Sequence, residues 1–151
     1  MNINHDAPLK VMLKDLSQFT KFNDSWLYTC NDGSNIAIKL SKIHIQGEIN
    51  KTAGFLKEIL IVSDGSGKAK VTRGAQVPGD LSWLHEGVYC SIIGNLIDNG
   101  KLPHISAIKI ARINNTVLRD MWPLEVAELK YILLGKGEPE LVEETLEDFD
   151  Y

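Results

Sequence analysis

Few of the residues able to do chemistry in this chain stand at the spacings chemistry would use. Ser66-Gly-Lys68 resembles the end of a phosphate-binding loop, whose backbone amides cradle phosphates ahead of a lysine. That motif needs a glycine five residues before Gly67 and a hydroxyl after the lysine, but Val62 and Ala69 stand there. Asp64 to Gly67 is instead expected to be a tight turn between two strands, with no helix N-terminus to hold phosphate. His5, His44, His85 and His104 show no paired ligand spacing, and Cys30 and Cys90 form no C-x-x-C. No metal or other cofactor is therefore expected. Ser, His and Asp are all present, without a nucleophile elbow. The carboxylates gather after Leu134, where no rigid frame would raise the pKa of a general acid. The chain does not read as an enzyme.

A different chemistry is open to the basic residues. Lys57, Lys68, Lys70 and Arg73 fall on or beside one expected hairpin and would offer a strand of nucleic acid its phosphate contacts. Stacking platforms are the missing half, because the strand aromatics Phe55 and Tyr89 do not alternate with those lysines. Direct binding of single-stranded DNA is thus the rival reading, and a solvated hairpin surface is the ordinary one.

The totals narrow the class further. A chain of 151 residues suits one domain with a true core and a tail. No apolar run is long enough for a membrane span, and the opening residues lack the regions of a signal peptide. Two distant cysteines in such a chain read as buried thiols, so cytosol or nucleus is expected. Net charge is −4, yet seven acidic residues against Lys136 alone follow Leu134. Residues 1–134 are left at about +2, short of the basic excess of a dedicated nucleic-acid binder.

The elements that must position these residues follow from periodicity. Pro8 opens a helical pattern with Leu9, Met12, Leu13, Leu16 and Phe19 on one face. Trp26–Cys30 and Ile36–Leu40 flank a turn-forming Asn31–Asn35, a hairpin. Ile43, Ile45, Gly47 and Ile49 alternate with polar residues, with a bulge expected at Gly47. Phe55–Val62, Lys68–Thr72, Val88–Ile97 and Ile105–Ile113 supply four more strands, and 78–87 a connector with room for a short helix. Three strands, a connector, two strands and a helix suit an all-β protein with flanking helices: a five-stranded Greek-key OB barrel with an N-terminal helix or extension and a C-terminal helix. An SH3-like barrel is the competitor, with no account of the long fourth strand. The expected divisions are an extension over 1–42 packed on the barrel, the OB domain over 43–134, and an acidic tail over 135–151. That tail is too charged to bury itself, although Val142, Leu146 and Phe149 would share one face of a short helix on a partner.

The terminal helix is the most telling element. Leu118, Trp122, Val126, Leu129 and Leu133 line one face, and Met121, Leu124, Tyr131, Ile132 and Leu134 widen it. One small barrel can hardly cover so broad a surface, so a partner chain is expected. Trp122 either caps its own barrel or anchors that partner; the breadth of the helix favours the partner.

Met121-Trp-Pro-Leu-Glu-Val-Ala-Glu-Leu129 resembles the terminal helix of the RecQ-mediated genome instability protein 2 family. Pro8–Val11, Ile45–Gly47, Asp64–Gly67, Gly87–Gly94 and Ala107–Ile110 resemble further family segments in the same order. The likeness spans residues 8 to about 134. It implies a nuclear, non-catalytic OB-fold adaptor for DNA repair, replication and homologous recombination. Such an adaptor binds DNA weakly or not at all alone. Its partner would be the C-terminal OB domain of RecQ-mediated genome instability protein 1. The pair would join a Bloom-type RecQ helicase and topoisomerase III in dissolving double Holliday junctions and keeping the genome stable. Met121, Trp122, Leu124, Val126 and Leu129 would then be the apolar anchors of the heterodimer, with Lys109 a polar rim contact. Pro123 departs from the family block; the helix either starts there or runs from Val117 with a kink. Nothing in the resemblance extends to the tail.

Overall fold

Ile43, Ile45 and Ile49 are fully buried while His44 and Glu48 are not, the alternation of a strand with one core-facing side. The computed structural model describes residues 2–5, 7–29, 37–40 and 42–133. Among them the chain runs β1 (Asn2–His5), β2 (Leu9–Lys10), a 3₁₀ helix (Leu13–Gln18), β3 (Phe19–Phe22), β4 (Ser25–Thr29) and β5 (Ala37–Leu40). It continues as β6 (Ile43–Ala53), β7 (Ile59–Ser63), β8 (Lys68–Arg73), β9 (Tyr89–Asp98), β10 (His104–Arg112) and α1 (Thr116–Leu133).

β6 to β10 close the barrel. β6 pairs with β7, β7 with β8, and β8 lies parallel to β10. β10 then pairs with β9, which returns antiparallel to β6. That order, with one parallel pairing, is the OB barrel. β6 can close it because its first half, Ile43–Glu48, pairs with β9 and its second half, Glu48–Ala53, with β7. Gly47 stands near the changeover. A Cβ there would lie 2.5 Å from Val62 Cγ1 and 2.8 Å from the Ser63 carbonyl oxygen. Its role is close approach, not the expected bulge: Gly47 pairs in register with Cys90, and the shift falls between Ile49 and Lys51. Leu60, Val62, Val71, Ile92 and Ile105 fill the interior, each fully buried, for roughly 1.5–3 kcal/mol apiece. Burial also lifts the Cys90 thiol to about 12, leaving it an inert core residue; Cys30 lies outside the described residues.

A second sheet, in the order β1-β5-β4-β3, is built from the N-terminal segment. β4 and β5 pair antiparallel as the expected hairpin requires; its turn lies outside the described residues. Trp26 ties this sheet to the barrel by donating its indole N–H to the Leu96 carbonyl at 2.7 Å. Asn99 Nδ2 does the same from the other side, donating to the carbonyls of Leu16 (3.1 Å) and Phe19 (2.7 Å).

Three expectations need correcting. The helix from Pro8 to Phe19 is not α-helical. Leu9 and Val11 donate their amides to Lys42 and His44 carbonyls at 3.0 and 3.1 Å, which holds β2 in a parallel pairing with β6. Only Leu13–Gln18 coils, as a 3₁₀ helix started by Asp15, whose carboxylate accepts the Met12 amide. The strand expected from Phe55 begins at Ile59, because Gly54 (φ 91°) and Lys57 (φ 54°) turn the chain first. The connector holds turns without a helix, anchored by buried Val77, Leu84 and Val88. The tail over 135–151 lies outside the described residues.

Candidate interaction surface

α1 begins at Thr116 because Asn115 caps it: its side-chain oxygen accepts the Val117 amide at 2.8 Å. The helix then runs through Pro123, so of the two expected starts the one near Val117 is observed. Pro123 removes the amide that would have met the Arg119 carbonyl, and its ring faces solvent.

Two apolar surfaces run along α1. Trp122 is 1% exposed and Val126 is 3% exposed, while Leu129 and Leu133 are partly buried against the core. The first half of this inner face reaches the outer side of β6 and β9, and its second half lies against β2 and the 3₁₀ helix. Trp122 lies 4.8 Å from the His44 ring, centroid to centroid, at 52°. His44 Nε2 and Ser91 Oγ share a hydrogen bond of 2.6 Å, and the Tyr89 hydroxyl donates to Gln46 Oε1 at 3.1 Å. Arg119 stacks over the Tyr89 ring at 4.6 Å. Burial, then the nearby Lys10, holds the His44 pKa below its usual 6.5. Lys10 Nζ to Glu125 and Lys130 Nζ to the buried Asp15, both at 3.5 Å, fix the helix against the N-terminal segment.

The other surface is open. Val117, Leu118, Met121, Leu124, Tyr131 and Ile132 are all exposed, Leu124 at 68%. Positions 117, 121, 124, 128 and 131 repeat at i, i+4, i+7, i+11 and i+14, the spacing of a helix-to-helix seam with Glu128 as its one charge.

The five expected anchors are therefore split. Met121 and Leu124 are exposed. Trp122 and Val126 are not: the barrel of this same chain already covers them, so as partner anchors they are corrected to docking residues of the helix. Leu129 shares that inner side in part. Lys109 is exposed on β10, near enough to His44 to help lower its pKa. Sequence reasoning missed the polar layer of His44, Gln46, Tyr89 and Arg119. Its signal is the alternation of Ile43–Ile49, which marks a polar side without showing what lies against it.

The basic hairpin is likewise divided. Lys57 Nζ donates to the Leu84 carbonyl at 2.9 Å, and Arg73 donates to the carbonyls of Lys57 and Leu56, so both brace a loop. Lys68 is exposed and Lys70 half-buried. The turn that resembled a phosphate loop is filled by its own carboxylate. Asp64 Oδ1 accepts Ser66 N, Ser66 Oγ and Gly67 N at 2.9, 2.7 and 3.2 Å, and Oδ2 accepts Leu13 N at 2.7 Å. No group of three or more potential metal ligands exists among the described residues, and no helix there is long and apolar enough to cross a membrane.

A family model, RecQ-mediated genome instability protein 2, matches residues 7–130. The chain belongs to that family. Membership makes it an OB-fold protein of genome maintenance. No curated protein matches it in sequence. Among solved structures it is similar to a chain of a replication protein A heterotrimer bound to single-stranded DNA, at 15% identity and TM-score 0.64, covering 86% of this chain and 98% of that one. It is also similar to the S. pombe Stn1–Ten1 complex, at 15% identity and TM-score 0.65, covering 85% and 93%. Yeast Stn1 and Ten1 match at 18% identity and TM-score 0.63, over 93% and 83%. At such identities these likenesses carry the fold, and the fold they carry is the OB barrel.

Proposed function

We propose that this member of the RecQ-mediated genome instability protein 2 family is a non-catalytic adaptor, whose helix α1 packs by its open face against a second OB domain. The partner that family membership favours is the C-terminal OB domain of RecQ-mediated genome instability protein 1. The heterodimer would act in the nucleus, stabilising a complex of a Bloom-type RecQ helicase with topoisomerase III that dissolves double Holliday junctions. The observation that carries this is one helix with two apolar surfaces, one docked and one in water. Six large side chains left exposed along 16 residues form a patch of the kind that marks an interface. A stable interface of this class buries about 2,000 Å² or more, so neighbouring barrel surface, Lys109 included, joins the helix.

Two residues test it. The pair Met121→Glu and Leu124→Glu places two charges in the centre of the seam without touching the inner face. Calorimetry against the partner OB domain is expected to show at least ~2 kcal/mol of lost affinity. Unchanged affinity in the doubly substituted protein would exclude α1 as the contact.

A further inference from the structure

α1 runs to Leu133 with Tyr131 and Ile132 exposed near its end, so the open apolar face reaches the point where the acidic tail departs. The residues that follow, Leu134-Gly-Lys-Gly-Glu-Pro139, suit a stop and a fresh start. Glycine closes helices in the left-handed conformation, and proline is at home in the first turn of the next one. Six residues is an ordinary link between antiparallel helices. Beyond the link, Val142, Leu146 and Phe149 repeat at i, i+4 and i+7, the spacing of positions 124, 128 and 131 on the open face of α1.

The two apolar patterns mirror one another. In an antiparallel helix pair, residues equally far from the turn lie at one height. With the turn centred between Lys136 and Gly137, Val142 is level with Tyr131, Leu146 with Ala127, and Phe149 with Leu124. Glu128, the one charge of the seam, is level with Thr145 and so meets a hydroxyl instead of a carboxylate. On a helix, Glu143, Glu144, Glu147, Asp148 and Asp150 would stand to the sides of the 142–146–149 line and stay in water.

From this mirror symmetry about Gly135–Gly137 we propose that residues 140–149 fold back as a short helix on the open face of α1, over Leu124 to Tyr131, while no partner is bound. A helix of that length is marginal alone in water, so it forms on the face that receives it. Tethering by so short a link gives an effective concentration of about millimolar, and a contact of millimolar strength is then half formed. The tail thus lays an acidic outer surface over an apolar one, which keeps the unpaired chain from associating at random. That it must also yield to the partner rests on the reading of α1 as the partner contact. A large interface displaces so weak a cover.

The test uses the full chain with Cys30→Ser; the other native thiol, Cys90, is buried. Leu124→Cys with Phe149→Cys should close a disulfide within one chain under mild oxidation, read by non-reducing electrophoresis. Leu124→Cys with Val142→Cys should not, because those positions are offset by about 10 Å along the axis, beyond the reach of a disulfide. Closure of neither pair, or of both equally, overturns the proposal. Disulfide-linked dimers also overturn it, by giving the tail to α1 of a second copy. Calorimetry then compares the parent with the triple variant Val142→Asp, Leu146→Asp and Phe149→Asp. The variant should bind the partner OB domain about two- to fivefold more tightly, since more of it has the face open. Weaker binding overturns the cover by making the tail part of the partner contact. In-register closure with unchanged partner affinity supports the tail on α1 and counts against α1 as the partner's site.

Discussion

The two sides of α1 use the same kinds of residue for opposite ends. Trp122 meets the His44 ring and is buried with Val126, while Leu129 and Leu133 are partly buried against the core. Met121, Leu124, Tyr131 and Ile132 are exposed to water. Neither hydrophobicity nor size separates the sets. What separates them is whether the chain supplies a matching surface, and the inner side has one because β6 and β9 offer a half-buried polar layer in which His44 bonds Ser91 and Tyr89 bonds Gln46. The inner side therefore sets where the helix lies, and the outer side is free to set what it binds.

Substituting Trp122 by alanine breaks the comparison most severely. The ring is almost completely enclosed, and its removal opens a cavity between α1 and His44, at a cost of about 3–5 kcal/mol in stability. Urea denaturation of the free chain should show that loss. If Trp122 instead belonged to the partner, stability would hold and only association would suffer. The pair Met121→Glu and Leu124→Glu should give the reverse pattern: free-chain stability within about 0.5 kcal/mol of the parent, and association lost. A drop in stability as large as that of Trp122→Ala would show that the outer side is also covered within the chain.

Pro123 sharpens the boundary between the two sides. It follows Trp122, its ring is exposed, and it leaves the Arg119 carbonyl without a helical donor. Pro123→Ala restores that hydrogen bond and a better helix former, so a gain of about 1 kcal/mol is expected in thermal unfolding. A loss would mean that the proline's constraint at Trp122 is what seats the indole.

The comparison also marks what a sequence discloses. The barrel strands were legible because each must turn alternate residues inward, and the turns between them are written in Asp64–Gly67 and Asp98–Gly100. The helical spacing of Leu9, Met12, Leu13, Leu16 and Phe19 misled, because β2 gains its hydrogen bonds from β6, more than thirty residues away in the chain. A propensity read locally carries no trace of that pairing. At α1 the excess of apolar residues was visible, but their division into docked and open sets was not. That division depends on which face the chain turns to β6 after Asn115, and the breadth of the helix carries no sign that its own barrel has a place for Trp122. The apolar run from Phe55 to Val62 hides a turn, and the left-handed backbone at Lys57 sets Phe55 apart from the strand as an exposed tip.

The smallest expected effect tests the covered polar layer itself. His44 has its pKa lowered by burial and by Lys10, and its ring is bonded to Ser91 Oγ under Trp122. The unfolded chain therefore takes up a proton at this residue before the folded one does as pH falls. Its contribution to stability is complete above the ordinary value of 6.5 and declines as pH drops below it towards the folded pKa. His104, lowered chiefly by burial and then by Lys70, shifts stability in the same direction, so each must be separated. Thermal unfolding between pH 7.5 and 5.5 should show a falling Tm in the parent chain and a shallower fall in His44→Gln, which retains a hydrogen-bonding side chain but cannot take up a proton. An equal slope in the two proteins would mean that the histidine tolerates charge beneath the indole, and that the inner face of α1 is wetter than its burial implies.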